Sequence, residues 1–400
     1  MKILLISPFF APVSTVAAAR MTSLVKHLQN KHTVTVVTYD DTFYQRYPNF
    51  ARKSPLVDGI RYVYFDPIYP VDRISHLKET ERVLYYTLSD ELEKEHYDII
   101  LLSSGPVFPE AVISRIGKKY KIPYVIDFRD LDILDFFFSK KQLSYNNSSL
   151  TRKVRRIIHD YVFQKFERKA VKRAVKIVVA NPAHKDVLIR KYNLNPDKIV
   201  SILNGYDDNA LNDFKSQPYE KDNHKFVIGI FGKISEYDTD RTQNLIRIFK
   251  RISEKYSNLI IWHIGSNDKS TADYAYQIGL SHEQYVHYGV MDYKDAMAIM
   301  QKADMFAMVF THPNSLGTKI YDYIALNKPV VSMSVPGMAF EKEFSVFKNI
   351  CISENDEVIQ DFICHIINDK ISVLDEHIDI KKYARSSNNT KYEELLTKLY

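Results

Sequence analysis

Short apolar, β-branched runs alternate with helix-length segments along almost the whole chain. In the first half the runs are Lys2–Ser7, Thr33–Thr38, Arg61–Phe65, Asp98–Ser103, Tyr124–Asp127, Lys176–Ala180 and Ile199–Leu203. Between several of them the apolar residues recur with helical spacing, as in Val16–Gln29 and Pro109–Lys119. Runs that are apolar throughout, rather than at every second position, belong to strands covered on both faces, as in a parallel sheet flanked by helices. The pattern resumes with strands expected at Phe226–Phe231, Leu259–Ile264, Tyr285–Tyr288, Asp304–Phe310 and Pro329–Met333. Helices are expected at Thr242–Lys255, Tyr293–Gln301 and Thr318–Leu326, with a last one at Asn388–Tyr400. The fold class is therefore α/β, with two Rossmann-like doubly wound units, which bind ligands at the carboxyl ends of their strands. A chain of 400 residues suits two such units. The boundary falls at Asn204-Gly205, a turn pair directly after a strand, followed by the polar stretch Asp207–Lys225.

Composition narrows the class. Hydrophobic residues at 45% and charged residues at 26% exclude a disordered or fibrous chain. The two cysteines, Cys351 and Cys364, are too few for a disulfide framework or a zinc cage and suit a reducing compartment. The apolar start Ile3–Ile6 is shorter than a signal-peptide core and is followed by Pro8 and Pro12. No run approaches the roughly 18 apolar residues of a spanning helix. The expectation is a cytoplasmic protein that at most lies on a membrane. Only 11 glycines are present, so those in or just after strands (Gly229, Gly232, Gly265, Gly289 and Gly317) suggest either turn geometry or a ligand approaching the backbone at a sheet edge.

Residues 152–176 carry ten Lys or Arg against only Asp160 and Glu167. Apolar residues recur beneath that charge at mostly three- and four-residue spacing. Such a helix either faces the core with a basic solvated side or meets anionic headgroups or another polyanion. Arg152, Lys153, Arg155 and Arg156 are the candidate membrane contacts. Nucleic acid is not expected, because no recognised binding motif accompanies the charge.

The most informative run is Phe310-Thr311-His312-Pro313-Asn314-Ser315-Leu316-Gly317-Thr318-Lys319-Ile320-Tyr321-Asp322-Tyr323-Ile324-Ala325-Leu326-Asn327-Lys328-Pro329-Val330-Val331. A strand ends, a Ser-Leu-Gly-Thr loop follows, and a helix opens whose free N–H groups and dipole favour an anion. Asp322, one turn on, is placed to accept from a sugar hydroxyl. This run resembles the donor-binding region of family 4 glycosyltransferases, which have the GT-B fold. Ile122–Asp130 resembles the family's central active-site segment, in an Asp-x-Arg-Asp form. Leu203–Asp207 resembles its interdomain signature, Ile230–Ile234 its donor-domain glycine loop, and Gly289-Val290 its base-contact region.

The resemblance implies two domains facing across a cleft. Residues 1–204 would bind the acceptor and residues 205–385 the donor, and a helix at 386–400 would cross back to the first domain. It also implies transfer of a sugar from a UDP- or GDP-sugar to an acceptor hydroxyl with retention of configuration. No metal or cofactor would be required. The acceptor expected is a lipid-linked glycan or cell-surface polysaccharide precursor, such as one for capsule or O-antigen, met at the inner face of the plasma membrane. Charge developing on the leaving diphosphate must then be met by cations and preorganised donors. Lys233 and Arg241 stand where the family has its diphosphate cations, assisted by the backbone of Leu316, Gly317 and Thr318. Gly232, Gly265, Val290, Asn314, Ser315, Lys319 and Asp322 complete the expected donor site, Asp322 toward the ribose. Ser14, Thr15 and Arg20 are the expected acceptor contacts.

The sequence also departs from the family pattern. Asn314 stands where a carboxylate is usual, and no Gly pair occurs near Ser14-Thr15. Arg129 occupies the position of the usual active-site His. An Arg cannot be a general base, which leaves Asp127 or Asp130 for that role, or else a structural Asp–Arg pair at the strand end. Asp130-Leu131-Asp132 and Asp238-Thr239-Asp240 match a common metal-binding pattern by chance, and His27, His32, His184, His263, His287 and His312 have no metal spacing. Two other readings stay open: a nucleotide-sugar epimerase of the same architecture, and an inactive nucleotide-sugar binder that partners a transferase.

Overall fold

The computed structural model describes residues 1–13, 15–46, 55–67, 74–104, 110–129, 131, 165, 167–215, 222, 224–369 and 379–400. The chain divides into two compact units, Met1–Asn204 with Arg385–Tyr400, and Gly205–Ala384.

The first unit is built on a seven-stranded parallel sheet. Its strands are β1 (Lys2–Ile6), β2 (Thr33–Tyr39), β3 (Arg61–Phe65), β4 (Ile99–Ser104), β5 (Tyr124–Phe128), β6 (Lys176–Val179) and β7 (Ile199–Ser201), in the order β3-β2-β1-β4-β5-β6-β7. β1 and β5 are buried along almost their whole length, which is why their sequences show no alternation. Helix α1 (Val16–Leu28) begins where Thr15 accepts a hydrogen bond from the Ala18 N–H at 3.2 Å, and it buries Met21, Leu24, Val25 and Leu28. The closing helix Arg385–Thr397 packs Tyr392 and Leu396 into the same layer.

The second unit holds β8 (Phe226–Phe231), β9 (Leu259–Ile264), β10 (Tyr285–Gly289), β11 (Met305–Phe310), β12 (Val330–Ser334) and β13 (Ile350–Ser353). They form one parallel sheet ordered β10-β9-β8-β11-β12-β13. Chain order reverses at the β8–β11 pair, so the loops leaving these strands diverge and open a crevice at the carboxyl edge. Helix Thr239–Lys255 starts on the Asp238 side chain and buries Leu245, Ile248, Phe249 and Ile252 against the sheet.

Several elements go beyond the expected set, among them two long helices and the last strand. Helix Ile74–Lys94 buries Leu84, Leu88 and Leu92, a four-residue spacing present in the sequence. Helix Asp356–Asp369 buries Ile359, Ile363 and Ile366 in the same way. Strand β13 has only four residues, two of them Cys351 and Ser353, and carries too little periodic signal to be seen alone.

Candidate active site

The glycine loop after β8 is held from three sides. Gly232 has φ +83°, and a Cβ there would lie 2.1 Å from Lys319 Nζ and 2.4 Å from its Cε. A side chain there would be strained by the positive φ and would push the Lys319 amine aside, since that amine lies directly over the loop. Lys319 Nζ donates to Lys233 O at 3.3 Å and sits 5.8 Å from the Tyr237 ring centroid. It forms no ion pair with a described residue, and burial pulls its pKa down to about 8.

From beneath, His263 on β9 supports the same loop. Its Nε2 lies 2.8 Å from Gly232 O, and its Nδ1 lies 2.9 Å from Tyr285 Oη. A carbonyl only accepts, so Nε2 carries the proton and Nδ1 accepts from the tyrosine hydroxyl. The ring is 1% exposed, and burial lowers its pKa to about 4, which keeps it neutral. Gly265 (φ +88°) would place a Cβ 3.3 Å from Gly232 N and Cα, so the two loops touch backbone to backbone.

From the third side, the helix Lys319–Ala325 is anchored to the sheet through Tyr323. The Tyr323 hydroxyl accepts from the Phe231 N–H at 2.9 Å, and its ring stacks on Phe306. Asp268 adds a tie between loops. Its carboxylate accepts from Ser235 Oγ at 2.7 Å, and it is lowered to about 2 by that bond and by bonds from the Ser270 backbone and hydroxyl.

The remaining expected donor residues surround this centre. Asp322 accepts from Tyr293 Oη at 2.9 Å. Val290 is 51% exposed, and its N–H lies 3.4 Å from Asn267 Oδ1. In the loop before Lys319, Gly317 N–H reaches Ser315 Oγ at 3.4 Å, Leu316 is buried, and Asn314 and Thr318 are half-buried. The two cations expected on the diphosphate are each paired with carboxylates. Lys233 Nζ pairs with Glu236 at 2.6 Å, and Arg241 pairs with Asp238 at 2.7 Å and Glu354 at 3.2 Å. Asp238 lies three residues before Arg241, caps its helix and bonds both its backbone and its guanidinium. The cation placed over the glycine loop is Lys319.

Of the expected acceptor residues, Arg20 and Thr15 are described. Arg20 is 8% exposed, and all five of its N–H groups are used within the first unit. Nε and Nη2 bond Asp127 at 3.0 and 3.3 Å, while Nη1 bonds Leu203 O at 2.8 Å and Asn204 Oδ1 at 3.1 Å. Nη2 also bonds Ile202 O and Tyr392 Oη, each at 2.8 Å. No donor remains for an acceptor substrate, and Asp127, fully buried on Arg20, is not placed as an accessible base. Thr15 serves as the cap of α1. Arg129 is half-buried just past β5, with its N–H 3.4 Å from Ser104 O. Ser14, Asp130, Arg152, Lys153, Arg155 and Arg156 lie outside the described residues. Where the basic segment is described, it faces the core through Glu167, Ala170, Val171 and Ala174 and leaves Arg168, Lys169 and Lys172 exposed.

His263 and Tyr323 are the site residues that the sequence does not single out. Their partners, backbone atoms of the glycine loop and side chains on other strands, lie on other elements and leave no trace in spacing. Among the described residues no cluster of His, Cys, Asp or Glu could hold a metal ion, and no helix is long and apolar enough to cross a membrane.

This arrangement, with two parallel-sheet Rossmann-like units and a glycine loop facing a helix start at the switch point of the second sheet, defines a GT-B architecture. The sequence matches Glycosyltransferase Family 4 over residues 17–210 and Glycosyl transferases group 1 over residues 225–369. The chain belongs to the family 4 glycosyltransferases, and it is a glycosyltransferase. No curated protein matches the sequence. Among solved structures it is similar to a glycosyltransferase from Rickettsia africae (13% identity, TM-score 0.63, covering 100% of this chain and 98% of that one). It is similar as well to UDP-GlcNAc 2-epimerase from Neisseria meningitidis bound to UDP-GlcNAc (15% identity, TM-score 0.62, 100% of both chains). A third similar structure is Anabaena HepE in complex with UDP-glucose (15% identity, TM-score 0.60, 100% of both chains).

Proposed function

We propose that the enzyme transfers a sugar from a UDP- or GDP-sugar to a hydroxyl of a lipid-linked glycan or polysaccharide precursor, with retention of configuration and without a required metal. The observation that carries this reading is the Lys319 amine over Gly232, a cation with no carboxylate partner among the described residues. A diphosphate against the glycine loop would supply the missing anion. Its growing negative charge on departure would be met by that amine and by N–H groups at the start of the Lys319–Ala325 helix. Lys233 and Arg241 would add to this by exchanging their carboxylate partners for phosphate. Asp322 would accept from the ribose, and the base would lie by Val290. Two structures of the same fold, those of the Neisseria enzyme and of HepE, were solved with UDP-sugars. A peripheral site of action on the cytoplasmic membrane face belongs to the same proposal, on the charge of residues 152–156.

The test is incubation with UDP- and GDP-sugars, with and without a lipid-linked acceptor. Release of nucleotide diphosphate and glycosylated product in the presence of acceptor supports the reading. Isomerised nucleotide sugar formed without acceptor would select an epimerase instead. Donor binding with neither product would select an inactive binder.

A further inference from the structure

The sheet of the second unit is not covered evenly. β11 and β12 are buried at every position, whereas β9 alternates buried and half-buried from Leu259 to Trp262. On β10, Val286 is half-buried and Tyr288 is 39% exposed. A parallel sheet normally has helices on both faces, and among the described residues one face of the β9–β10 edge has none. A groove of about 840 Å³ lies there, within the usual range for small-molecule sites. Residues preceding β8, β9 and β10 line one end of it and Trp262 and Tyr288 the other, so it runs along the sheet face toward the carboxyl end of β10, and none of Gly232, Gly265 and Lys319 lines it.

Its walls are of a particular kind. Trp262 and Tyr288 stand nearly perpendicular, with centroids 6.1 Å apart, and form an apolar corner. The indole N–H and the exposed Tyr288 hydroxyl have no partner among the described residues, which leaves both able to bond a ligand hydroxyl. Two amides sit at the mouth, each locked by one end. Asn258 Nδ2 donates to His224 O, which leaves its carbonyl oxygen, and Gln284 Oε1 accepts from Ser281 N–H, which leaves its NH₂. Charge is balanced: Asp222 pairs with Lys225 at 3.2 Å, and Glu283 is matched by Lys302. An anion would gain nothing net from such a lining. A pyranose would, because it brings an apolar C–H face and neutral hydroxyls that both donate and accept.

We propose that this groove is a second carbohydrate site, which holds a neutral segment of a glycan chain away from the reaction centre. The proposal rests on the glycosyl-transfer reading, since a glycan is then what the enzyme handles. Trp262 is the only tryptophan in the chain, so its fluorescence reports this groove, and a titration with UDP alone records any response that comes through the neighbouring His263. The whole protein is titrated with neutral hexasaccharides of glucose, galactose, mannose and N-acetylglucosamine. At least one should shift the emission saturably, UDP should not displace it, and Tyr288→Ala should weaken it about tenfold. No saturable change with any of the four overturns the proposal. So does displacement by UDP, or tighter binding of an oligogalacturonate than of every neutral sugar. Calorimetry with UDP and GDP on the same sample separates the two readings. Binding of UDP or GDP without a sugar response overturns the groove alone, whereas a sugar response with binding of neither UDP nor GDP supports the groove and counts against the donor site.

Discussion

Arg20 and Asp127 lie 107 positions apart in sequence and form a buried ion pair, with Arg20 Nε 3.0 Å from Asp127 Oδ2. The same guanidinium holds the carbonyls of Ile202 and Leu203 and the Tyr392 hydroxyl, so β5, the end of the first domain segment and the returning C-terminal helix meet on one side chain. Burial works against its charge, but Asp127 and Tyr392 outweigh that and raise its pKa above the ordinary guanidinium value.

Arg20→Met should therefore destabilise the fold by about 3–5 kcal/mol, because it strands a buried carboxylate and two carbonyls. Tyr392→Phe, which removes one bond, should cost only about 1 kcal/mol. Urea unfolding of the two variants checks the ranking. Equal, small losses would mean that the pair is not the anchor described.

Lys319→Met should lower kcat/KM by about two to three orders of magnitude if the amine faces developing charge as an oxyanion donor does. Thermal stability should change little or improve, since the substitution removes a partly desolvated charge. Rates on any accepted donor, measured beside the melting temperature, separate a site defect from a folding defect.

Gly232→Ala should combine backbone strain of about 1–2 kcal/mol with displacement of the Lys319 amine. Affinity for UDP or GDP should fall further than stability does. An alanine variant that binds nucleotide like the parent would show that the loop has room.

The pH dependence follows from two groups. With the Lys319 pKa lowered to about 8, its positive charge is lost above that pH, so nucleotide affinity should weaken between pH 8 and 10 in the parent and stay flat in Lys319→Met. The unfolded lysine holds its proton up to its ordinary pKa. Through the same window the unfolded chain therefore binds more protons, and this group makes stability rise with pH. His263, lowered to about 4, contributes stability that is complete above its ordinary value near 6.5 and is lost as pH falls toward 4. Calorimetry across pH reads the first effect, and melting curves from pH 4 to 7 read the second. His263→Phe should flatten the acid limb.

His263→Asn offers a separate check on its support of the glycine loop. A merely core-filling histidine would change stability alone. A histidine that positions Gly232 should raise KM for the donor with a smaller effect on kcat, because the loop that receives the phosphate is loosened before chemistry begins.

The strands were readable because parallel strands buried on both faces are apolar at every position, as in Ile3-Leu4-Leu5-Ile6 and Phe226–Phe231. The loop after β11 and the helix start that follows it were readable because their glycine and helix signals are local features, encoded within a few residues of one another. Strand β13 was not, being short and half polar at a sheet edge. Nor could the roles of the three basic residues be sorted. Lys233, Arg241 and Lys319 all lie near glycine-loop signatures, and which of them meets a carboxylate depends on Glu236, Asp238 and Glu354, the last of these 113 residues from Arg241.

The order of apolar runs alone thus determined two doubly wound units, since burial on both faces must be written into every strand. Tertiary structure alone decided that Arg20 and Asp127 neutralise one another, that Lys319 lies over Gly232, and that a histidine on the neighbouring strand holds that loop from below. These are contacts between residues far apart in the chain, and their energies depend on distance and burial, quantities that exist only once the sheets have formed.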